Sequence, residues 1–273
     1  MTSGERARRF FEGEQPAPAP FAEHVLAFSS LDVALPDEQP ALHTVWPDGC
    51  VALVVLASAR VPIAATVVGP RLRALRIPVR HGVSIRGLKL WPDTAAHVLG
   101  ADPVAIRDLT RPAAELLGVG ALSLARSVAA AAPGAELDAV WTRWLAPRVR
   151  PASPPDSEVR LVVRLLIESD GTHDLAAAAR RAGVSARALD RRFGAAVGIS
   201  PRQFARVRRV RAAIADIADG QRSMSRLAAR LGHPDQASFV REFRSVAGLS
   251  PEALVAQLDQ LEHTGPRGRV SAS

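Results

Sequence analysis

Cysteine, lysine and long apolar runs are what this sequence has least of, and each shortage excludes something. Cys50 is the single cysteine in 273 residues, so an internal disulfide and a cysteine-based zinc site are both out, which fits a reducing compartment. The longest apolar run, Cys50 to Ala59, is about half of what a bilayer crossing needs, and no basic stretch followed by an apolar run opens the chain. A soluble, cytoplasmic protein is expected. No Gly-rich phosphate loop, paired carboxylate motif or metal triad can be read along the chain, which argues against a small-molecule enzyme and for no cofactor. Lys89 is the one lysine among 35 basic residues, so arginine usage alone inflates the pI of 11.2, and the placement of the charge matters more than its sum.

At 48% apolar and 23% charged, the composition is globular and excludes wholesale disorder. The length suits about two domains. Residues 1 to 156 are nearly neutral, with 16 basic and 15 acidic side chains, whereas residues 157 to 262 carry 17 and 12. Within that second part, the window from 180 to 230 holds 13 arginines against Asp190, Asp216 and Asp219. A mere arginine bias would spread evenly; clustering is what a polyanion-binding surface requires.

Proline marks the organisation. Residues 12 to 20, ending Pro-Ala-Pro-Ala-Pro, read as an extended arm with nothing to bury, and Pro147, Pro151, Pro154 and Pro155 read as a linker. The expected division is an arm over 1–20, an α+β domain over 21–146, a Pro-rich linker over 147–157, an all-α domain over 158–262 and a frayed tail over 263–273. In the first domain, Leu42 to Trp46 and Cys50 to Leu56 read as two strands around a Pro47-Asp48-Gly49 turn. Val61 to Val68, Leu75 to Val79 and Val83 to Leu90 add further strands. Helices follow: Asp93 is expected to cap one through Leu99, Asp102 another from Pro103, and Leu116 to Ala132 a third. Beyond the linker, helices begin at Glu158, after Asp174, and at Pro201, where Phe204, Val207, Val210, Ile214 and Ile217 fall on one face.

The strongest signal is a duplication. Phe193, Gly198, Ser200 and Pro201 recur as Phe243, Gly248, Ser250 and Pro251 at an offset of 50, and Ala179 to Gly183 recurs as Ala228 to Gly232 at 49. Each copy is a short helix, a glycine turn and a second helix, the form of a helix-turn-helix. Gly183 and Gly232 stand where a helix must stop in a left-handed conformation, and Ser185 and Asp235 can cap the helices that follow. Leu189, Phe193 and Val197 must face the core, leaving Arg187, Asp190 and Arg191 outward. In the second copy Phe239, Phe243 and Val246 are the buried stripe, leaving Gln236, Ser238, Arg241 and Glu242 outward. Side chains at the start of such a second helix are those that reach base edges in a major groove.

On these residues, the segment from Val159 to Leu258 resembles the DNA-binding domain of AraC/XylS-type transcriptional regulators, in which one long helix joins two helix-turn-helix units. The resemblance implies that Arg187, Asp190 and Arg191 are base-facing in the first reading helix, and Gln236, Ala237 and Arg241 in the second. His233 and Leu254 stand where that family usually has aromatics. An arginine can pair bidentately with guanine, Ala237 can offer a methyl group, and Asp190 can orient an arginine or accept from cytosine. Arg202, Arg206, Arg209 and Arg244 suit phosphates. The implied partner is double-stranded DNA, with binding in the bacterial nucleoid; RNA polymerase, a small-molecule effector and a second copy of the chain are left open, and no membrane is involved.

The first domain is less legible. Trp46 to Val51, Gly69-Pro70, Ile85 to Pro92 and Ala95 to Gly100 resemble an uncharacterised N-terminal domain found on some AraC-type proteins, cupin-like only by analogy of position and β content. Cys50 reads as a buried small hydrophobe or as a redox or alkylation sensor. His43, His81 and His97 show no metal-ligand spacing, so no metal is expected. Trp46 and Trp91 suit a core or a pocket, and Trp141 and Trp144 suit packing between domains or chains. The leading expectation is a non-enzymatic regulator whose N-terminal domain senses a small molecule or mediates association. The alternative is a Cys50-dependent DNA alkyl-transfer protein carrying the same helical module.

Overall fold

The computed structural model describes residues 14–34, 41–58, 63–149 and 156–263. The first part of the expected arm, most of the proline linker and the tail beyond residue 263 lie outside the described residues. The N-terminal half is mostly strands followed by helices, with one short α-helix ahead of the last strand. Its strands are β1 (Glu14–Pro16), β2 (Val25–Asp32), β3 (Ala41–Val45), β4 (Ala52–Ala57), β5 (Ala64–Val68), β6 (Leu75–Val79), β7 (Ser84–Leu90) and β8 (Thr110–Pro112). Six of them form one antiparallel sheet in the order β1-β2-β7-β4-β5-β8, while β3 and β6 pair separately. The helices are α1 (Ala95–Leu99), α2 (Ala113–Leu117), α3 (Gly120–Ala130) and α4 (Ala135–Leu145). Leu53, Val55, Leu88 and Leu90 alternate along β4 and β7, point to one face and are fully buried there beneath α3, in the same core as Trp141 of α4. Burial of this kind is worth about 1.5 to 3 kcal/mol for each side chain.

Several local expectations are corrected. Pro47-Asp48-Gly49 closes no hairpin: β3 pairs with β6, and β4 pairs with β5 and β7. The turn instead carries the chain from one sheet to the other, because the Asp48 carboxylate is drawn to the Cys50 amide (2.9 Å) and to Lys89 (2.6 Å). Glu14–Pro16 is no free arm but an edge strand on β2, held by an ion pair between Glu14 and Lys89. Asp93 does not cap α1; it is buried and grips Arg160. The Asp102 carboxylate accepts the Val104 amide, and the residues after it form a series of turns rather than a helix. The helix expected over Leu116 to Ala132 is broken at Gly118 into α2 and α3. Trp141 is fully buried against Phe28 inside the first domain, and Trp144 packs edge-on against it.

The C-terminal half is all helical: α5 (Ser157–Glu168), α6 (Leu175–Arg181), α7 (Ala186–Val197), α8 (Pro201–Ala218), α9 (Met224–Arg230), α10 (Gln236–Ala247) and α11 (Pro251–His263). It contains two apolar cores, and α8 belongs to both. Phe204 and Ala205 complete the core of α5, α6 and α7, while Val207 to Ile217 complete that of α9, α10 and α11.

The two halves meet on α8 and α5. Gly49 has φ +75°, and a Cβ there would stand 2.5 Å from the Phe204 ring. Behind it, Lys89 and Arg211 share Asp48 and Glu14, all four side chains being largely buried. A second junction joins Arg160 to Asp93 (2.8 Å) and to Glu23 (3.1 Å), with Arg164 also on Glu23 and both guanidinia over the Trp91 ring. Trp46 packs on the second helical core and Trp91 on the first. Leu72 packs on both.

Burial alone would raise the Asp48 carboxyl, but the Lys89 ammonium, then Arg211, with the Cys50 amide, hold it well below the usual carboxylate range. A depressed folded-state pKa contributes stability that is complete above the unfolded pKa, roughly 3.9, and is lost as pH falls through the folded value. Asp48→Asn is therefore expected to cost about 3 kcal/mol at pH 7, with the gap to the parent protein narrowing below about pH 4 in denaturant titrations. Cys50 lies buried at the same junction, where burial and then the Asp48 charge push its thiol up despite Lys89, Arg208 and Arg211. A thiol-directed reagent at pH 8 should leave the native protein unlabelled and react stoichiometrically once it is unfolded.

Candidate nucleic-acid interface

The two helix-turn-helix units are built by the same local devices. In the first, Asp174 accepts the Ala177 amide to start α6, and Ser185 accepts the Ala188 amide to start α7. Between them Gly183 adopts φ +69°, and the Val184 amide reaches back to the Ala179 carbonyl at 3.1 Å. In the second, Ser223 caps α9 and Asp235 caps α10, Gly232 adopts φ +74°, and the His233 amide reaches the Ala228 carbonyl at 2.9 Å. Nothing crowds either glycine, so the backbone conformation alone demands it. The long helix α8 opens on a reciprocal capping box between Ser200 and Gln203. The positions that depart from the family pattern still pack: His233 lies edge-on to Phe239 with ring centres 5.6 Å apart, and Leu254 is buried in the second core.

The expected reading residues divide into two groups. Arg187, Asp190 and Arg191 on α7, and Gln236, Ala237 and Arg241 at the start of α10, are exposed. Ser238 is half-buried, donates its amide to the Asp235 cap and accepts from Arg241 through its hydroxyl (2.9 Å). Arg202 and Arg244 are exposed. Arg206 and Arg209, by contrast, have partners within the protein, Arg209 largely buried and Arg206 still 42% exposed. Arg209 donates from Nε and Nη2 to Glu242, each at 2.9 Å, and from Nη1 to the Gly171 carbonyl; Arg206 reaches Ser245 and the same Glu242. Glu242, expected outward, is thus a largely buried partner on the inner side of α10.

The same sorting reduces the basic window. Of its 13 arginines, Arg192, Arg206, Arg209, Arg211, Arg222 and Arg230 are held by carboxylates, and Arg208 is enclosed near Cys50 and Asp48. Arg180, Arg181, Arg187, Arg191, Arg202 and Arg226 remain exposed with no ion pair to a described residue. Arg180, Arg181 and Arg226 were missed as candidates; their exposure on the first helices of the two units follows from Ala178, Ala179, Leu227 and Ala228 taking the inner faces.

His43 is lowered by burial, and the described residues contain no cluster of three or more potential metal ligands. The buried, protonated thiol of Cys50 is unsuited to alkyl transfer. No helix among the described residues is long and apolar enough to cross a membrane.

Comparison with known families finds two matches: residues 178–257 match a family described as a helix-turn-helix domain, and residues 14–112 match a domain of unknown function, DUF6597. Among solved structures, the C-terminal domain of AraT, a response regulator from Geobacillus stearothermophilus, is 22% identical, covering 37% of this chain and 86% of that one, with a TM-score of 0.35. An apo form of a ToxT point variant from Vibrio cholerae is 13% identical over 89% of this chain and 100% of that one, TM-score 0.44. Wild-type ToxT bound to an unsaturated fatty acid is 13% identical over 86% and 96%, TM-score 0.44. No curated protein matches the chain. The duplicated glycine turns and the shared long helix agree with these matches: residues 178–257 match a helix-turn-helix domain family, and residues 14–112 match DUF6597.

Proposed function

We propose that this protein is a sequence-specific regulator of transcription in which α7 and α10 each read base edges in a major groove of one duplex. The observation that carries this reading is the repetition: two units with the same left-handed glycine turn and the same capped second helix, each presenting exposed polar side chains at the start of that helix and sharing α8. Arg187 and Arg191 are assigned to guanine O6 and N7, Asp190 to cytosine N4 or to orienting an arginine, and Gln236, Ser238 and Arg241 to base edges, with Ala237 against a thymine methyl. Arg202 and Arg244, exposed on the shared helix and on α10, are assigned to phosphates, which position without specifying.

The N-terminal domain is the part through which a small molecule or a second copy of the chain would act on the reading helices. Support comes from its contacts with both units. Gly198, which ends α7, packs so closely on loop residue Pro103 that a Cβ would collide with the Pro103 carbonyl oxygen. The Ala74 amide donates to the Val246 carbonyl at the end of α10 (2.8 Å). Anything that moved these loops would move the ends of both reading helices.

Selection of bound duplexes from a random pool, followed by titration, tests this reading. With about six exposed arginines on phosphates or bases, affinity should fall on the order of 10³-fold between 50 and 200 mM salt. Arg187→Ala and Arg191→Ala should each lose about 1 to 3 kcal/mol on the selected site and relax preference at particular base pairs, with unfolding free energy changed by less than about 0.5 kcal/mol. Equal losses on every duplex would show that these arginines do not read bases.

A further inference from the structure

Helix α5 ends in a tight turn at Asp170 and Gly171, both left-handed, with φ +53° and +76°. For aspartate that conformation is sparsely populated and persists only where its surroundings hold it. Here the surroundings are the second helix-turn-helix unit. Arg230 of α9 bridges Asp170 (3.0 Å) and Asp216 of α8 (2.5 Å). Arg209 of α8 donates to the Gly171 carbonyl (3.0 Å) while gripping Glu242 of α10 with two parallel bonds. Gly171 also lies so close to the α8 backbone that a Cβ would strike the Ala205 carbonyl oxygen. His233, at the end of the second unit's turn, approaches the same Glu242 at 3.4 Å. The turn that leads from α5 into the first unit is therefore tied to both helices of the second through two arginines.

The donor geometry of Arg209 decides between two roles. Three of its five N–H groups are committed inside the protein, its side chain is 22% exposed, and its bidentate partner is 16% exposed. To turn the donors that hold Glu242 toward a phosphate, it would have to leave a largely buried carboxylate that, among the described residues, faces His233 and the more distant Arg206, a costly exchange. A duplex, meanwhile, repeats its major groove every 10 to 10.5 base pairs, roughly 34 Å, so two reading helices work together only if their separation and rotation match that repeat.

We infer that Arg209 is a positioning residue, which with Glu242, Asp170 and Arg230 fixes the register between the two reading helices, and that it is not a phosphate ligand. The inference rests on the DNA-reading assignment above and adds which residues set the spacing of the two contacted grooves.

The test uses the full chain and the selected duplex, with one base pair added to or removed from between the two contacted segments. The parent protein should lose ~10-fold or more in affinity for each such change, on the scale of one lost base contact. Arg209→Gln and Glu242→Gln should each reduce that penalty to about threefold or less, while the slope of log affinity against log salt stays unchanged. The exchanged pair Arg209→Glu with Glu242→Arg should restore the penalty; a glutamate at position 209 could not restore a phosphate contact. Circular dichroism and thermal unfolding check that each variant folds, and either single variant suffices if the other does not.

A slope reduced by about 0.9 in Arg209→Gln, with the spacing penalty kept, would make Arg209 a phosphate ligand and overturn the inference. An unchanged slope with an unchanged penalty would overturn it too, while leaving the DNA-reading assignment intact. Failure of the parent protein to bind any duplex would instead remove that assignment, and the register role with it.

Discussion

The 18 residues of α8 divide their faces among three surroundings, and the rest of the structure is arranged around that division. Phe204 and Ala205 close the first helical core, Val207, Val210, Ile214 and Ile217 close the second, and Arg211 turns toward the β-domain to meet Asp48 and Glu14. A helix that fills two cores cannot rotate or slide to suit one without opening a cavity in the other, since interiors are packed to crystal-like density. Helices α7 and α10 are thereby held to a common frame, and the N-terminal domain is docked on that frame rather than tethered to it. Gly49 against Phe204 shows how close the docking is: the β-domain backbone comes within the space of a single methyl group of the first helical core.

Charge in this protein does two kinds of work, and only burial tells them apart. Arginines such as Arg160, Arg209 and Arg211 face carboxylates at junctions between elements, where a broken pair would strand a buried charge. Such pairs add less to net stability than their number suggests, because desolvation offsets much of the attraction, but they make one arrangement of the parts much better than its neighbours. Arginines such as Arg187, Arg191 and Arg202 stand in solvent, where a long flexible cation is available to a polyanion. Seven of the 13 arginines between residues 180 and 230 are paired with carboxylates or enclosed, so the clustered charge overstates the cations open to a polyanion by about half.

The helical half was legible because its signals are local. A glycine that must be left-handed, a serine or aspartate one turn before a buried leucine or phenylalanine, and a repeat at an offset of 50 each act within a few residues. The same signals misled in the β-domain. Pro47-Asp48-Gly49 has hairpin chemistry, yet its aspartate is claimed by Lys89 from β7 and Arg211 from α8. Asp93 has cap chemistry, yet Arg160, 67 residues away, takes its carboxylate. Glu242 has the spacing of a solvent-facing residue on α10, yet Arg209 draws it inward across 33 residues. In each case a charge-assisted bond to a distant partner outweighed a local preference worth about 1 kcal/mol.

What the residues determined unaided was the pair of helix-turn-helix units, their caps and turns, and the apolar stripes that force Arg187, Asp190 and Arg191 outward, because helix periodicity and backbone conformation are properties of short stretches of chain. Which arginines stay in solvent, which strands pair, and where the β-domain rests on the shared helix were decided only by tertiary structure. These depend on partners far apart in the chain, and the energy of placing a charge beside its partner in a water-poor junction exists only once the chain has brought the two together.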